Sequence, residues 1–260
     1  MSRLLEAECR VYEINPVYTK QRRSFRTKAD KSDPVDAKLI ADVLTRKLSE
    51  LPRITKAEFS SEHLCLKKTV WFYEEITIQG ARLKNQLRQL QRERSLSTTK
   101  DEQNVLDIVI QSKKKNLKQI QKTQEKLERE LDVLLGKTGK NLTTIKGIGT
   151  LMAAKIIAHA NGIERFATVD KFVSYAGIAP VERSSGKSRK RKKNKMGNRR
   201  LHSTFYLAAV CQIVHNPKAK EYYEKKIKEG KTKQQALFCV MRRIACIVYG
   251  MLKSGEDYRK

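Results

Sequence analysis

Residues 232–255 read TKQQALFCVMRRIACIVYGMLKSG. Leu237, Val240, Met241, Ile244, Val248, Met251 and Leu252 recur at spacings of three and four, which sets them along one side of a helix. Ser254-Gly255 supplies the stop, because glycine enters the left-handed conformation that ends helices at little cost. Cys239 and Cys246 lie seven apart on this apolar side and read as small core hydrophobes. The same period covers about 150–160, 168–176, 199–215 and 218–229. Residues 137–260 therefore predict a compact all-helical domain carrying one basic loop, residues 183–198.

Upstream, residues 56–136 are polar, lysine-rich and helical in period. Leu117, Ile120, Leu127, Leu131 and Leu134 fall on the a and d positions of a heptad, with Gln124 interrupting at an a position, and Ile76, Leu83, Leu87 and Leu90 do likewise earlier. Ser95 to Thr99 breaks the two runs, so the block predicts an antiparallel coiled-coil hairpin able to pair with another copy. Gln124 is either a register device or a surface glutamine slightly out of phase. Residues 1–55 hold a strand-like stretch, Arg10 to Ile14, then a basic loop, then a helix from Asp33 with Leu39, Ile40, Val43 and Leu44 on its apolar face. Asp33 reads as the N-cap before a proline at the first helical position. One strand and one helix bury too little to fold alone, so this block reads as the end of a longer domain.

The 260 residues carry 56 Lys plus Arg against 28 Asp plus Glu, a net charge of +28. Such a charge repels itself unless a polyanion offsets it, and nucleic acid is the partner it best fits. A membrane surface fits less well, since no basic amphipathic helix stands apart from a domain. No run of about 18 apolar residues is evident, and the first residues lack the apolar core of a secretion signal. The five cysteines have no CxxC spacing and the four histidines are scattered, which fits reduced thiols in a cytoplasm and argues against a structural zinc site.

Three motifs bear on chemistry. In LTTIKGIGTLMAAKIIA, residues 142–158, Lys146, Gly147 and Gly149 resemble a helix-hairpin-helix turn that presents backbone N–H groups to a DNA phosphate; the plainer reading is a tight interhelical turn. Ser184-Ser185-Gly186 lies among Arg183, Lys187, Arg189, Lys190, Arg191, Lys192, Lys193, Lys195, Arg199 and Arg200. These cations suit a phosphodiester and its transition state, so a serine here either lines a phosphate site or attacks it. Composition does not choose between Ser184 and Ser185. Asp33 and Asp36, three apart at a helix start, project to one face and suit Mg²⁺, or else serve only as cap and first-turn acid.

Together these pieces resemble the insertion sequence 110 family of transposases, relatives of the Piv-type DNA invertases. The resemblance rests on Glu13-Ile-Asn-Pro16, Lys31-Ser-Asp-Pro-Val-Asp-Ala37, Ile145-Lys-Gly-Ile-Gly149, Arg165-Phe166, Tyr175-Ala-Gly-Ile-Ala-Pro180, Ser185-Gly186, Lys195-Met-Gly-Asn198 and Val240-Met-Arg-Arg243. It implies a mainly α chain: part of a RuvC-like (RNase H-like) α/β domain, a coiled coil, and a helical transposase domain. It further implies DNA recombination through a covalent serine–phosphate intermediate, a structured guide RNA that chooses sites, and a homo-oligomer. Ser185 matches the nucleophile, and Asp33 and Asp36 match the last two of four acids that hold Mg²⁺. The first two acids would precede Met1, so the resemblance implies a chain that begins inside the RuvC-like domain, with little strand exchange expected from it alone. Leu201-His-Ser203 also departs from the family's Leu-Arg-Arg. A reading from another class is a remnant that binds nucleic acid without cutting it.

Overall fold

A computed structural model of the chain describes residues 4, 6–14, 16–24, 32–48, 51, 53–54, 60–179, 181–185, 188–192 and 197–258. Among them the chain is mainly α: nine helices, one three-residue 3₁₀ turn and a two-stranded antiparallel hairpin. In order these are α1 (Pro16–Ser24), α2 (Asp33–Lys47), α3 (Ser61–Leu96), α4 (Lys100–Thr138), the 3₁₀ turn (Leu142–Thr144), α5 (Thr150–Ala160), α6 (Val169–Tyr175), β1 (Val181–Ser185), β2 (Ser188–Lys192), α7 (Arg199–His215), α8 (Pro217–Lys228) and α9 (Lys233–Ser254).

The longest elements are α3 and α4, 36 and 39 residues joined through Ser97-Thr98-Thr99. Cross-contacts fix them as antiparallel: Tyr73 Oη donates to Glu128 (2.6 Å), Gln124 Nε2 to Thr77 Oγ1 (2.9 Å), and Arg94 Nη2 to Asp107 (2.8 Å). On α4 the half-buried and buried positions Ile110, Lys113, Leu117, Ile120, Gln124, Leu127, Leu131 and Leu134 keep a strict alternation of three and four, the spacing of a two-helix seam. Gln124 thus sits in the seam and spends its amide on Thr77, which favours the register reading over an out-of-phase surface glutamine. Gly80 gives Ile120 and Leu117 room, a Cβ there lying 3.5 Å from Ile120 Cγ2.

The far end of this hairpin enters the main core. Leu66 and Val70 of α3 and Leu131, Leu134 and Leu135 of α4 join Ile156, Phe172, Leu201, Phe205, Met241, Ile244 and Val248 in one apolar cluster. Helix α9 buries Val240, Met241, Ile244, Ala245, Val248 and Leu252 there, is capped by a Thr232–Gln235 capping box, and ends at Gly255 with φ 74°. By length and composition α9 is the one helix, among the described residues, apolar enough to cross a membrane. Its buried face is spent on the core, and Arg242 and Arg243 lie mid-helix. Cys239 and Cys246 sit half-buried at the margin, where burial pushes the Cys246 thiol up.

Near the start of the chain, α1 and α2 pack on each other, and Leu39, Val43, Leu51 and Ile54 are buried apart from the main cluster. The strand-like Arg10–Ile14 stretch makes a single antiparallel bridge, Tyr12 to Arg53, with Ile54 N donating to Val11 O at 2.9 Å. Three expectations change here. Residues 16–24 form a helix rather than a loop, started by Pro16 and stabilised by Arg22–Asp42 (3.2 Å) and Arg23–Asp36 ion pairs. Ser32 rather than Asp33 is the N-cap of α2, because Asp33 already has helical geometry. Ile40 faces out at 42% exposure, since α1 covers only the Leu39–Val43 side.

Candidate nucleic-acid-processing site

The segment expected as a basic loop is a β-hairpin. Its register pairs Val181 with Lys192, Glu182 with Arg191, Arg183 with Lys190, Ser184 with Arg189 and Ser185 with Ser188. Ser185 is therefore in the last pair before the two-residue connection Gly186-Lys187. Alternation along a strand assigns positions 181, 183 and 185 to one face and 182 and 184 to the other. Cross-strand pairing then groups position 185 with Arg183 and Lys190, and position 184 with Glu182, Arg189 and Arg191. Lys187 and Lys195, also expected to touch nucleic acid, lie outside the described residues.

Outside the strands, the chain that flanks this hairpin meets backbone to backbone. Gly197 lies so close to Gly177 that a Cβ on it would overlap the Gly177 Cα and N, and it would sit 3.1 Å from Tyr175 O. Gly177 itself has φ +70°, a conformation that disfavours any side chain. One residue on, Asn198 N donates to Tyr175 O at 2.7 Å. The Asn198 side chain caps α7, accepting from Arg200 N (3.1 Å) and Leu201 N (3.0 Å), while its Nδ2 donates to Tyr175 Oη (3.3 Å) and to His159 O (3.5 Å). Tyr175-Ala-Gly and Gly197-Asn198, distant in sequence, are thus the two jaws of one clamp.

Beside this contact, the Tyr175 ring lies tilted against Phe166 with centroids 5.1 Å apart, and Phe166 meets Phe172 edge-on at 5.3 Å. The Arg165 guanidinium lies over the Tyr175 and Phe166 rings at 5.1 and 5.3 Å and pairs with Glu13. This joins the Glu13-Ile-Asn-Pro16 and Arg165-Phe166 motifs. Beside it, Glu74 of α3 accepts from Arg200 Nη1 (2.8 Å), pairs with His159 Nε2 (3.1 Å), and has Lys155 Nζ at 3.9 Å. Burial alone would raise the Glu74 carboxyl, but the His159 hydrogen bond and the neighbouring positive charges outweigh it and hold it below its ordinary value. Arg200 is thus committed to Glu74, whereas Arg199 is exposed at the first turn of α7.

At the glycine turn, Gly147 has φ +85°, and a Cβ there would lie 3.6 Å from Cys211 and Gln212 backbone atoms. Gln212 Nε2 donates to Lys146 O. Gly147 is thereby explained by its positive φ, with ordinary contact to α7. Lys146 is exposed, and Gly149 is exposed with open space around it as N-cap of α5. Together with Thr150, Gly149 lines a cleft of about 610 Å³ against the end of α4. Asp132 stands in that cleft and accepts from Thr150 Oγ1 at 3.1 Å, so one anion already faces the helix start. The element before the turn is a three-residue 3₁₀ turn rather than an α-helix.

Asp33 and Asp36 share the first turn of α2, as expected, but Asp33 is exposed and Asp36 is paired with Arg23. Among the described residues no three His, Cys, Asp or Glu side chains gather as a metal site would require. A carboxylate neutralised by a guanidinium and one exposed neighbour do not fit Mg²⁺, which needs near-octahedral oxygen ligation. Sequence reasoning missed Glu74 and saw Arg165 only within a motif, without a role, because their partners lie up to 152 residues away. The signal that was present is Arg165 itself, a cation directly before a core phenylalanine.

Fold and site define a strongly basic, mainly helical protein with a serine-bearing two-stranded hairpin whose flanks meet at Gly177 and Gly197. The chain belongs to the IS110 family of transposases. A model described as the transposase IS116/IS110/IS902 family matches residues 139–224, and an IS110 DEDD transposase model matches residues 1–93. Similar proteins include an uncharacterized 43.6 kDa protein of insertion element IS110 from Streptomyces coelicolor, 31% identical over 59% of this chain and 38% of that one. An uncharacterized 42 kDa protein of insertion element IS900 from Mycobacterium paratuberculosis is 33% identical over 45% of this chain and 30% of its own length. A pilin gene-inverting protein from Moraxella bovis is 26% identical over 46% and 38%. The chain therefore spans well under half the length of these relatives.

Proposed function

We propose that the chain acts on DNA as a recombinase of insertion-sequence type, with Ser185 as the nucleophile. In the proposed step the Ser185 Oγ–P bond forms as the bond from phosphorus to one deoxyribose oxygen breaks. The serine proton passes to solvent and the released sugar oxygen takes one up, leaving a phosphoserine ester that a second hydroxyl can later displace. The observation that carries this reading is a hairpin with Ser185 in its last pair, whose flanking chain meets backbone to backbone at Gly177 and Gly197. Arg183 and Lys190 form the next pair on the same face of the hairpin, two levels away, and would stabilise the charge that develops on phosphate. Arg189, Arg191 and Arg199, with Lys187 and Lys195, would grip the flanking backbone without reading sequence. Lys146 and Gly149 are a second, weaker backbone contact, disfavoured by Asp132. The family resemblance adds a structured guide RNA and assembly of copies through the α3–α4 hairpin.

The test is a denaturing gel of the chain with labelled duplexes nicked beside each candidate phosphate. A protein–DNA adduct that survives in wild type and Ser184→Ala but vanishes in Ser185→Ala is the expected result. A second reading, binding without cleavage, is favoured by the Arg23–Asp36 pair, which leaves no free acidic cluster among the described residues. It predicts equal, salt-sensitive binding by all three proteins and no adduct from any of them.

A further inference from the structure

We infer that Glu74 is a positioning residue: from α3 it holds the Arg200 guanidinium at the start of α7 as a pre-set contact for a phosphate of duplex DNA. Four hydrogen-bonded links close a ring across α3, α5 and α7. Arg200 N donates to Asn198 Oδ1 (3.1 Å), and Asn198 Nδ2 donates to His159 O (3.5 Å). His159 Nε2 lies 3.1 Å from Glu74 Oε1, and Glu74 Oε2 accepts from Arg200 Nη1 at 2.8 Å. Arg200 is therefore tied at both ends, by its backbone to the α7 cap and by its tip to α3.

The two partners differ in exposure. The Glu74 side chain is 14% exposed and Arg200 54%, so the carboxylate is the fixed member and the guanidinium faces solvent. Only one edge of the planar fork is spent on Glu74, and the remaining N–H donors suit a phosphate oxygen. A long exposed side chain normally loses rotamer freedom when it binds; here the ring has already ordered it. Lys155 and Arg200 both approach Glu74, so the one carboxylate leaves the cluster positive. Arg199, next along the chain, is exposed and forms no ion pair among the described residues. The cluster thus presents cations to an anion rather than cancelling them.

The inference rests on the chain binding DNA, and the experiment separates the two. Full-length chain is titrated by fluorescence polarisation against a 30-base-pair duplex DNA at several salt concentrations, with circular dichroism checking the fold. Removing an acid from a basic protein should by itself tighten its hold on a polyanion. Positioning predicts the opposite sign for Glu74→Gln: binding about fivefold weaker at 0.1 M salt and a log–log salt slope smaller by about 0.9, one phosphate contact. Arg200→Gln should lose the same, and the double variant no more than either alone. Glu75→Gln removes the same charge from an exposed neighbour on α3 that bonds only Gln79, and should bind as wild type or more tightly. If Glu74→Gln does not fold, Arg200→Lys serves, since lysine keeps the charge without the planar fork; binding at least about threefold weaker upholds the positioned contact, and unchanged binding overturns it. Wild-type or tighter binding by folded Glu74→Gln overturns the inference and leaves DNA binding intact. Absence of wild-type binding overturns both.

Discussion

The base of the Ser185 hairpin and the first turn of α2 both gather residues suited to phosphate chemistry, and they are held in opposite ways. Beside the hairpin, Gly177 and Gly197 touch backbone to backbone, the Asn198 side chain makes hydrogen bonds to four other residues, and aromatic rings lie close by. At α2, Asp33 stands exposed and Asp36 meets one arginine. A position set by backbone contact tolerates no substitution; a position set by one surface ion pair tolerates most. The difference assigns the precise geometry to the Gly177–Gly197 contact and the start of α7.

The sharpest way to break this contrast is Gly197→Ala. The added Cβ must displace the Gly177 backbone, so the loss should be about 3 kcal/mol in urea unfolding, whereas Gly149→Ala, in open space, should stay within about 1 kcal/mol. Equal effects would dissolve the clamp. Next, Asn198→Ala removes the α7 cap and the Tyr175 contact; about 1.5 kcal/mol is expected from the same denaturation curves. Asn198→Asp, which keeps the capping oxygen, should recover most of it.

Glu74 sharpens the comparison through pH. Its carboxyl is held below its ordinary value of 4.5, so its contribution is fully present above that value and fades as pH falls through the lower one. Melting temperatures of Glu74→Gln should therefore sit below wild type at pH 7 and converge with it in acid. His63 acts in the same direction: burial lowers it from 6.5, so its stabilisation by staying neutral is lost as pH falls below that value, and His63→Gln should flatten this part of the acid limb. The smallest effect belongs to the other side of the contrast. Asp36→Asn should cost no more than about 1 kcal/mol, as ion pairs with exposed members do, and should leave the hairpin unaltered.

The sequence made the helices legible because apolar spacing is local: α5, α7 and α9 begin and end within a residue or two of where their periods place them. The α3–α4 hairpin was legible through its heptads and the SLSTT break. Residues 181–192 were not, since a strand made largely of cations has no apolar alternation to read. Helix α1 was hidden for the same reason, PVYTKQRRS showing no apolar face. Ser185, Gly177 and Gly197 were visible as motifs, but their contact spans 20 residues and follows only from the fold. The Glu74–Arg200 pair spans 126 residues and leaves no local mark at all.

The central claim is that Ser185 joins covalently to DNA, and residue-level mass spectrometry of the digested adduct tests it most directly. The account predicts a nucleotide remnant on Ser185, absent from the Gly197→Ala protein even where that protein still binds the duplex. A remnant on Ser184 or on any tyrosine, or bound duplex with no modified residue under conditions where wild type is saturated, would contradict it.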